Sequence, residues 1–168
     1  MQRVKGFTTG GMPTFMDVSQ NFDPSQVILE DNLLLQLKRN GRKVVFMGDD
    51  IWTQLFPSDS FESVHAFPSF VVKDLHTVDN GVVRHLFPLI EDSSSSWSVL
   101  IGHFLGVDHV GHTFGPDHPE MTEKMNQMNG IIRDIISNVT MNHPDSLVMI
   151  FGDHGMTADG NHGGASFD

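Results

Sequence analysis

Short apolar runs of strand length alternate along this chain with segments whose apolar residues recur every three to four positions. The apolar runs cover residues 43–47, 98–105 and 147–151, and the helical patterns cover residues 77–90 and 119–139. Strands that alternate with helices are typical of βαβ units. We therefore predict an α/β fold with a mostly parallel, doubly wound sheet and helices on both faces.

The segments between these elements give weaker signals. An apolar stripe in residues 25–40 predicts a further helix, and Gly41 follows where a glycine commonly ends a helix. Residues 70–72 are expected to form a brief strand. Three segments rich in turn-forming or small polar residues are expected to be loops: residues 6–14, 56–68 and 93–96.

Length and charge limit the classes of protein to which the chain can belong. Its 168 residues suffice for one domain with a core and are too few for two ordinary domains. With 21 acidic and 10 basic residues, its formal charge is −11. It has no basic stripe to neutralise phosphates, which argues against nucleic acid as a partner. The absence of cysteine excludes disulfides, thiolate metal sites and cysteine nucleophiles.

Targeting signals are sparse. No apolar run approaches the roughly 18 residues of a membrane-spanning helix, and glycine and threonine follow Arg3 and Lys5 where a signal peptide needs an apolar stretch. Asn138 begins an Asn-Val-Thr sequon, which is used only in a secretory or lumenal compartment. If the protein is lumenal, its targeting and anchoring segments are expected to lie outside this chain.

The chemistry is concentrated in two short motifs and one later histidine. Asp-His-Val-Gly-His follows one apolar run, Gly-Asp-His-Gly follows another, and the last histidine precedes two glycines. Aspartate and histidine are ligands of zinc and related metals, and open α/β sheets build their sites at strand ends. The sequence therefore predicts a metal centre formed by Asp108, His112, Asp153, His154 and His162.

These five residues divide into two groups. Asp108 and His112 are four positions apart, so one helical turn or a tight loop lets both reach one ion. With His162 they would form a three-ligand set suited to catalytic zinc. Asp153 and His154 would contribute to a second set and leave it short of ligands. Adjacent side chains diverge on a strand, so this pair is expected in a loop.

Other candidate groups are assigned to structural roles. His109, inside the first motif, either supports a ligand from behind or simply packs. Thr8 and Thr9 are possible nucleophiles by residue type, but loop threonines beside glycine more often cap or turn. Six histidines are assigned to the core or the surface: His65, His76, His85, His103, His118 and His143.

Taken together, the motifs resemble the alkaline phosphatase superfamily. Its pattern is Asp-x-x-x-His after a strand, then Gly-Asp-His-Gly-Met, then His-Gly-Gly. The phrases VFMGDD at 45–50, FLGVDH at 104–109 and GMT at 155–157 narrow the resemblance to the glycosylphosphatidylinositol (GPI) ethanolamine phosphate transferases, in particular their type 3 branch. The resemblance runs over essentially the whole chain and implies an alkaline-phosphatase-like fold.

This resemblance implies two zinc ions. One would be held by Asp108, His112 and His162. The other would be held by Asp153 and His154, together with an aspartate and a nucleophilic threonine from further upstream.

The resemblance also implies a limit to what this chain contains. The upstream threonine and aspartate would precede Met1, so residues 1–168 are expected to be a single partial catalytic domain, truncated at both ends. Without its nucleophile, the chain alone is expected to be inactive.

The resemblance further implies an activity and a location. Ethanolamine phosphate would be transferred from phosphatidylethanolamine to a mannose of the GPI precursor, the third mannose for type 3. The catalytic domain would face the lumen of the endoplasmic reticulum from its membrane, and a small membrane partner subunit is left open. Two alternatives remain: a phosphodiesterase or nucleotide pyrophosphatase with the same metal pattern, and a non-catalytic metal-binding fragment.

Overall fold

The structure, a computed structural model, describes residues 2–11 and 27–162. The described elements are, in chain order, α1 (Gln2–Thr9), α2 (Leu33–Arg39), β1 (Val44–Asp49), α3 (Ile51–Leu55), a short 3-10 helix (Ser58–Ser60), β2 (Ser63–Phe67), α4 (Thr77–Glu91), β3 (Val99–His103), α5 (Gly106–Phe114) and α6 (Pro119–Asn142). The strands form one parallel sheet in the order β2-β1-β3. The predicted parallel α/β fold is confirmed.

The central strand β1 forms both layers of the core. All six of its residues are buried, and successive side chains of a strand point to opposite faces. Val45 and Met47 join an apolar cluster with α4 and α6. Val44 and Phe46 join a second cluster with α1, α2 and α3. Helices therefore cover both faces of the sheet, as the alternating pattern predicts.

Most of the strongly periodic segments fold as predicted. The apolar run 43–47 overlaps β1, the run 98–105 contains β3, and the two long helical patterns correspond to α4 and α6. Helix α2 begins only at Leu33, where the side chain of Asn32 accepts a hydrogen bond from the N–H of Leu35. It is followed by Gly41 in the left-handed region, with φ of +65°.

The expected loop over residues 6–14 is wrong for its first part, because residues 6–9 belong to α1. Tertiary packing overrides the low helix propensity of glycine and threonine here. Val4 is buried in the core, and the ring of Phe7 lies 5.9 Å from that of Trp52. Residues 12–14, like residues 25 and 26 of the second predicted helix, lie outside the described part of the chain.

Residues 56–72 also fold differently from the prediction. The strand β2 lies within the segment expected to be a loop, because its backbone pairs in parallel with β1. Residues 70–72 form no strand and are largely exposed. A Cβ atom on Gly81 of α4 would lie 2.3 Å from the ring of Phe67. This close packing of β2 on α4 explains a glycine inside a helix.

The apolar run 147–151 is the largest departure from expectation. It is neither a strand nor buried: Leu147 is 83% exposed and Met149 is 71% exposed. The described strands offer it no partner, so β-propensity alone does not produce a strand. The loop expected at residues 93–96 is present. Within the described ranges, no helix is both long and apolar enough to cross a membrane.

Candidate metal centre

The carboxyl edge of the sheet brings the predicted ligands together. Strand β1 ends at Asp49, β3 ends at His103, and α5 begins three residues later with Gly106. Asp108 and His112 lie one turn apart on α5, as their spacing of four residues predicts. The segment that contains Asp153, His154 and His162 crosses the same region.

Asp108 is the centre of the cluster. His112 Nε2 lies 3.4 Å from Asp108 Oδ2, and His162 Nε2 lies 3.5 Å from Asp108 Oδ1. One potential ligand atom from each of these three residues lies within 4.8 Å of the other two. The structure therefore brings together the three residues of the first predicted ligand set.

The second pair lies next to the first set. His154 Nε2 is 3.8 Å from Asp108 Oδ1 and 3.6 Å from Asp153 Oδ2. The Nδ1 atom of His154 lies 2.9 Å from the carbonyl oxygen of Gly155, which can only accept a hydrogen bond. Nδ1 therefore carries the proton in the neutral ring, and the lone pair of Nε2 faces the two carboxylates.

The arrangement suits a metal ion better than a hydrogen-bonded network. Asp108 Oδ1 is buried and has no hydrogen-bond partner among the described residues, although two imidazole nitrogens lie 3.5 and 3.8 Å away. Those separations exceed ordinary hydrogen-bond lengths. Two ligand atoms bound at about 2.0–2.1 Å to a tetrahedral ion are about 3.3 Å apart. A cation between these groups would satisfy the buried oxygen, so the residues fit a metal.

His109 lies next to Asp108 on α5 and connects this helix to the loop after β2. It is buried, and its ring nitrogens lie 2.7 Å from the carbonyl oxygen of Asp74 and 3.1 Å from that of Ser69. These contacts fasten the loop after β2 to α5. Of the two roles considered for His109, the structure favours support of the helix that carries Asp108.

Two neighbours of the cluster, Asp49 and His103, are not among the predicted ligands. Asp49 is buried, and its Oδ2 lies 3.7 Å from Nδ1 of His103, which accepts a hydrogen bond from the Trp52 indole at 3.0 Å. Burial lowers the pKa of His103, while the carboxylates of Asp49, Asp153 and Asp108 oppose that shift. Both residues end a strand, so the rule that selects Asp108 also provides a signal for them.

The sequence matches the family model described as type I phosphodiesterase / nucleotide pyrophosphatase over residues 18–162. The chain belongs to this family. The match includes all five residues of the cluster.

Individual relatives have more specific names than the family model. The chain is 52% identical to the human protein named GPI ethanolamine phosphate transferase 3, catalytic subunit, over 99% of the chain and 15% of the relative. It is 48% identical to GPI ethanolamine phosphate transferase 3 of Saccharomyces cerevisiae, over 100% of the chain and 16% of the relative. It is 37% identical to the human type 2 protein, over 99% and 17%. The chain thus spans about a sixth of the length of these relatives. No solved structure gives a significant match.

Several threonines and histidines outside the cluster make structural contacts in this phosphodiesterase-family chain. The hydroxyls of Thr8 and Thr9 donate to carbonyl oxygens of α1. His118 accepts a hydrogen bond from the N–H of Glu120 at the start of α6. The rings of His65 and His85 stack with centroids 3.8 Å apart; burial, and then the neighbouring His85, lower the pKa of His65.

Proposed function

We propose that this chain is part of the catalytic domain of a metal-dependent phosphotransferase, which transfers ethanolamine phosphate to a mannose of the GPI anchor precursor. The observation that carries the proposal is the convergence of three imidazoles on Asp108, with the carboxylate of Asp153 beside one of them, His154. It occurs in a chain whose relatives are named GPI ethanolamine phosphate transferases.

The proposed ions are two zinc ions. One would be held by Asp108, His112 and His162, and the other by Asp153 and His154 with groups beyond those described. Bound zinc lowers the pKa of an attacking hydroxyl and neutralises charge on transferring phosphoryl oxygens. The Nε2 lone pair of His154 faces the carboxylates, which supports a ligand role for this histidine.

The residues of the chain would preorganise this site. Asp108 and His112 are fixed by one helix, so their separation is set by the α-helical repeat. His109 holds that helix against the loop at residues 69–74. A rigid ligand pair needs little rearrangement when charge develops on the phosphoryl group, which favours transfer.

We further propose the third mannose as acceptor and phosphatidylethanolamine as donor, in the lumen of the endoplasmic reticulum. The acceptor is supported by the difference in identity between the human type 3 relative, 52%, and the human type 2 relative, 37%. Because the human type 3 relative is named a catalytic subunit, we also propose a membrane partner subunit.

A chimera tests this function. The segment of the S. cerevisiae type 3 relative that matches this chain would be replaced by residues 1–168, in cells that lack the native protein. We expect mass spectrometry of the GPI precursors to find ethanolamine phosphate on the third mannose. The matched control carries the corresponding segment of the human type 2 relative.

Two results would contradict the proposal. An intact, membrane-inserted chimera that leaves the third mannose unmodified would exclude the transferase assignment. Equal modification by a His112→Ala chimera would exclude the metal site.

A phosphodiesterase is the second candidate, because the matching family model has that description. If it is correct, the purified chimera should hydrolyse a phosphodiester to completion in water. Addition of an acceptor alcohol should then give no transfer product.

A further inference from the structure

A buried ion pair lies behind the helix that carries Asp108. Asp79 on α4 and Lys124 on α6 are 3.2 Å apart, and their side chains are only 1% and 2% exposed. Burial of two charges is costly unless every polar atom is satisfied. The contacts of the pair therefore indicate what it does.

The ammonium group of Lys124 has three partners. It donates to the carbonyl oxygen of Leu75 at 2.6 Å, to Asp79 Oδ2 at 3.2 Å, and faces His76 Nδ1 at 3.2 Å. An ammonium group has three N–H donors, so each donor has an acceptor. Lys124 thus neutralises Asp79 and fastens the start of α4 to α6.

The second oxygen of Asp79 binds the start of α5. Oδ1 accepts hydrogen bonds from the N–H groups of Leu105 and Gly106, both at 3.0 Å. Leu105 is the N-cap residue of α5 and offers no side-chain cap. The first N–H groups of a helix need partners from outside the helix. Asp79 supplies one acceptor for two of them, from 26 and 27 residues away along the chain.

The Asp79 carboxylate lies so close to Gly106 that a side chain there would not fit. A Cβ atom on Gly106 would lie 2.0 Å from Asp79 Oδ2 and 2.8 Å from Lys124 Nζ. The carboxylate therefore packs directly on the helix backbone, two residues before Asp108.

We propose that Asp79 is a positioning residue of the metal centre: by capping α5 it fixes Asp108 and His112, with Lys124 compensating its charge. This inference rests on the metal site of the proposed function. Metal affinity would then depend on the hydrogen bonds that Asp79 accepts from the start of α5, and not on its ion pair with Lys124.

The experiment separates the cap from the charge with two double variants of the 168-residue chain. Asp79→Asn/Lys124→Met removes both charges but keeps an oxygen that can accept from Leu105 and Gly106. Asp79→Leu/Lys124→Met also removes both charges and places methyl groups where the carboxylate oxygens were. Apolar replacement of a buried ion pair is often tolerated by the fold, so both variants are expected to remain folded.

The readout is metal affinity, measured by titration with Co²⁺ and by competition for Zn²⁺ against a chromophoric chelator. We expect the asparagine variant to bind like the wild type. The leucine variant should bind about 10–100-fold more weakly, the usual loss when support of a metal ligand is removed. Circular dichroism would establish that both variants are folded. If the leucine variant does not fold, Asp79→Ala/Lys124→Met replaces it.

Each remaining outcome decides against a specific claim. Wild-type affinity in a folded leucine or alanine variant would overturn the positioning role. If the asparagine variant loses as much metal affinity as the leucine variant, the effect comes from the lost charge and not from the lost cap. If neither the leucine nor the alanine variant folds, the ion pair acts on global stability. A wild-type chain that binds neither metal would overturn the metal site itself, and the inference with it.

Discussion

At the scale of single residues, Asp108 is the group on which the site depends. Its two oxygens face three different imidazoles, and Oδ1 has no hydrogen-bond partner in the described chain. A buried carboxylate oxygen without a partner is costly. The cost is removed if a cation binds there, so each surrounding histidine should contribute to metal affinity.

We therefore expect His112→Ala and His162→Ala each to weaken Zn²⁺ binding by at least about 10–100-fold, since loss of a ligand should cost more than loss of its support. Chelator competition on the purified chain would measure the change. His118→Ala is the matched control. It removes a helix cap worth about 1 kcal/mol, which should lower the free energy of unfolding without changing metal affinity. Unchanged affinity in both test variants would contradict the assignment.

Part of this site can be predicted because its residues directly follow apolar runs, a pattern that is visible over a few neighbouring positions of the sequence. Polar residues that follow an apolar run identify Asp108 and Asp153 directly. The same rule applies to Asp49 and His103, but an isolated histidine gives no sign of a partner about 50 residues away. Asp79 gives no signal at all, because its role depends on a helix terminus brought to it by the fold.

At the scale of elements, the segment 153–162 is fixed against α5 by a close backbone contact. Gly160 has φ of +82°, and a Cβ atom there would lie 2.2 Å from the carbonyl oxygen of Gly111. Neither a left-handed backbone nor this approach suits a residue with a side chain. The contact therefore sets where His162 meets α5.

We expect Gly160→Ala to weaken Zn²⁺ binding by about tenfold or more, as losses of ligand support do. Gly41→Ala is the control, because Gly41 also has a positive φ but a Cβ atom there would meet nothing within 4 Å. It should lower the free energy of unfolding by about 1 kcal/mol and leave metal affinity unchanged. Equal metal affinities in the two variants would exclude the packing role.

The start of α4 should give a pH-dependent contribution to stability. Asp74 Oδ1 accepts hydrogen bonds from the N–H groups of His76 and Thr77, and the bonds from Thr77 and His76 lower the pKa of Asp74 from 3.8 to about 2. A lowered pKa stabilises the fold above the ordinary pKa, and the contribution is lost as the pH falls through about 2.

Asp74→Ala should therefore lower the free energy of unfolding by about 0.5–2 kcal/mol at neutral pH, the usual effect of losing a side-chain acceptor at the start of a helix. The difference from the wild type should shrink as the pH is lowered from about 4 to about 2, where the carboxylate becomes protonated. Urea unfolding across this range would measure it. A difference that does not depend on pH would contradict the role of the charge.

Elements are predictable from this sequence where the pattern is long or central. Helices α4 and α6 have enough turns for periodicity to identify them, and β1 is apolar on both faces because it is buried on both. Helix α1 escapes prediction because its stability comes from Val4 in the core and not from propensity. Strand β2 escapes it because only pairing with β1 makes it a strand, and such a distant contact leaves no local pattern.

At the scale of the whole molecule, we expect the exposed apolar run at residues 147–151 to promote self-association. Its five residues carry no charge and are 37–83% exposed, and exposed segments of this kind favour association. We expect Leu147→Glu/Met149→Glu to reduce self-association of the chain in sedimentation velocity. Asn126→Glu/Gln127→Glu adds the same charge on the exposed face of α6 and is the control. Equal reduction by both would assign the effect to net charge alone.

The central claim is that the sheet edge is a metal centre built around Asp108. The most direct measurement is a crystal structure of the chain grown with Zn²⁺, with anomalous maps on both sides of the zinc absorption edge. We predict an anomalous peak about 2.0–2.2 Å from a carboxylate oxygen of Asp108 and from imidazole nitrogens of His112 and His162. An ordered site without that peak at saturating zinc would contradict the claim.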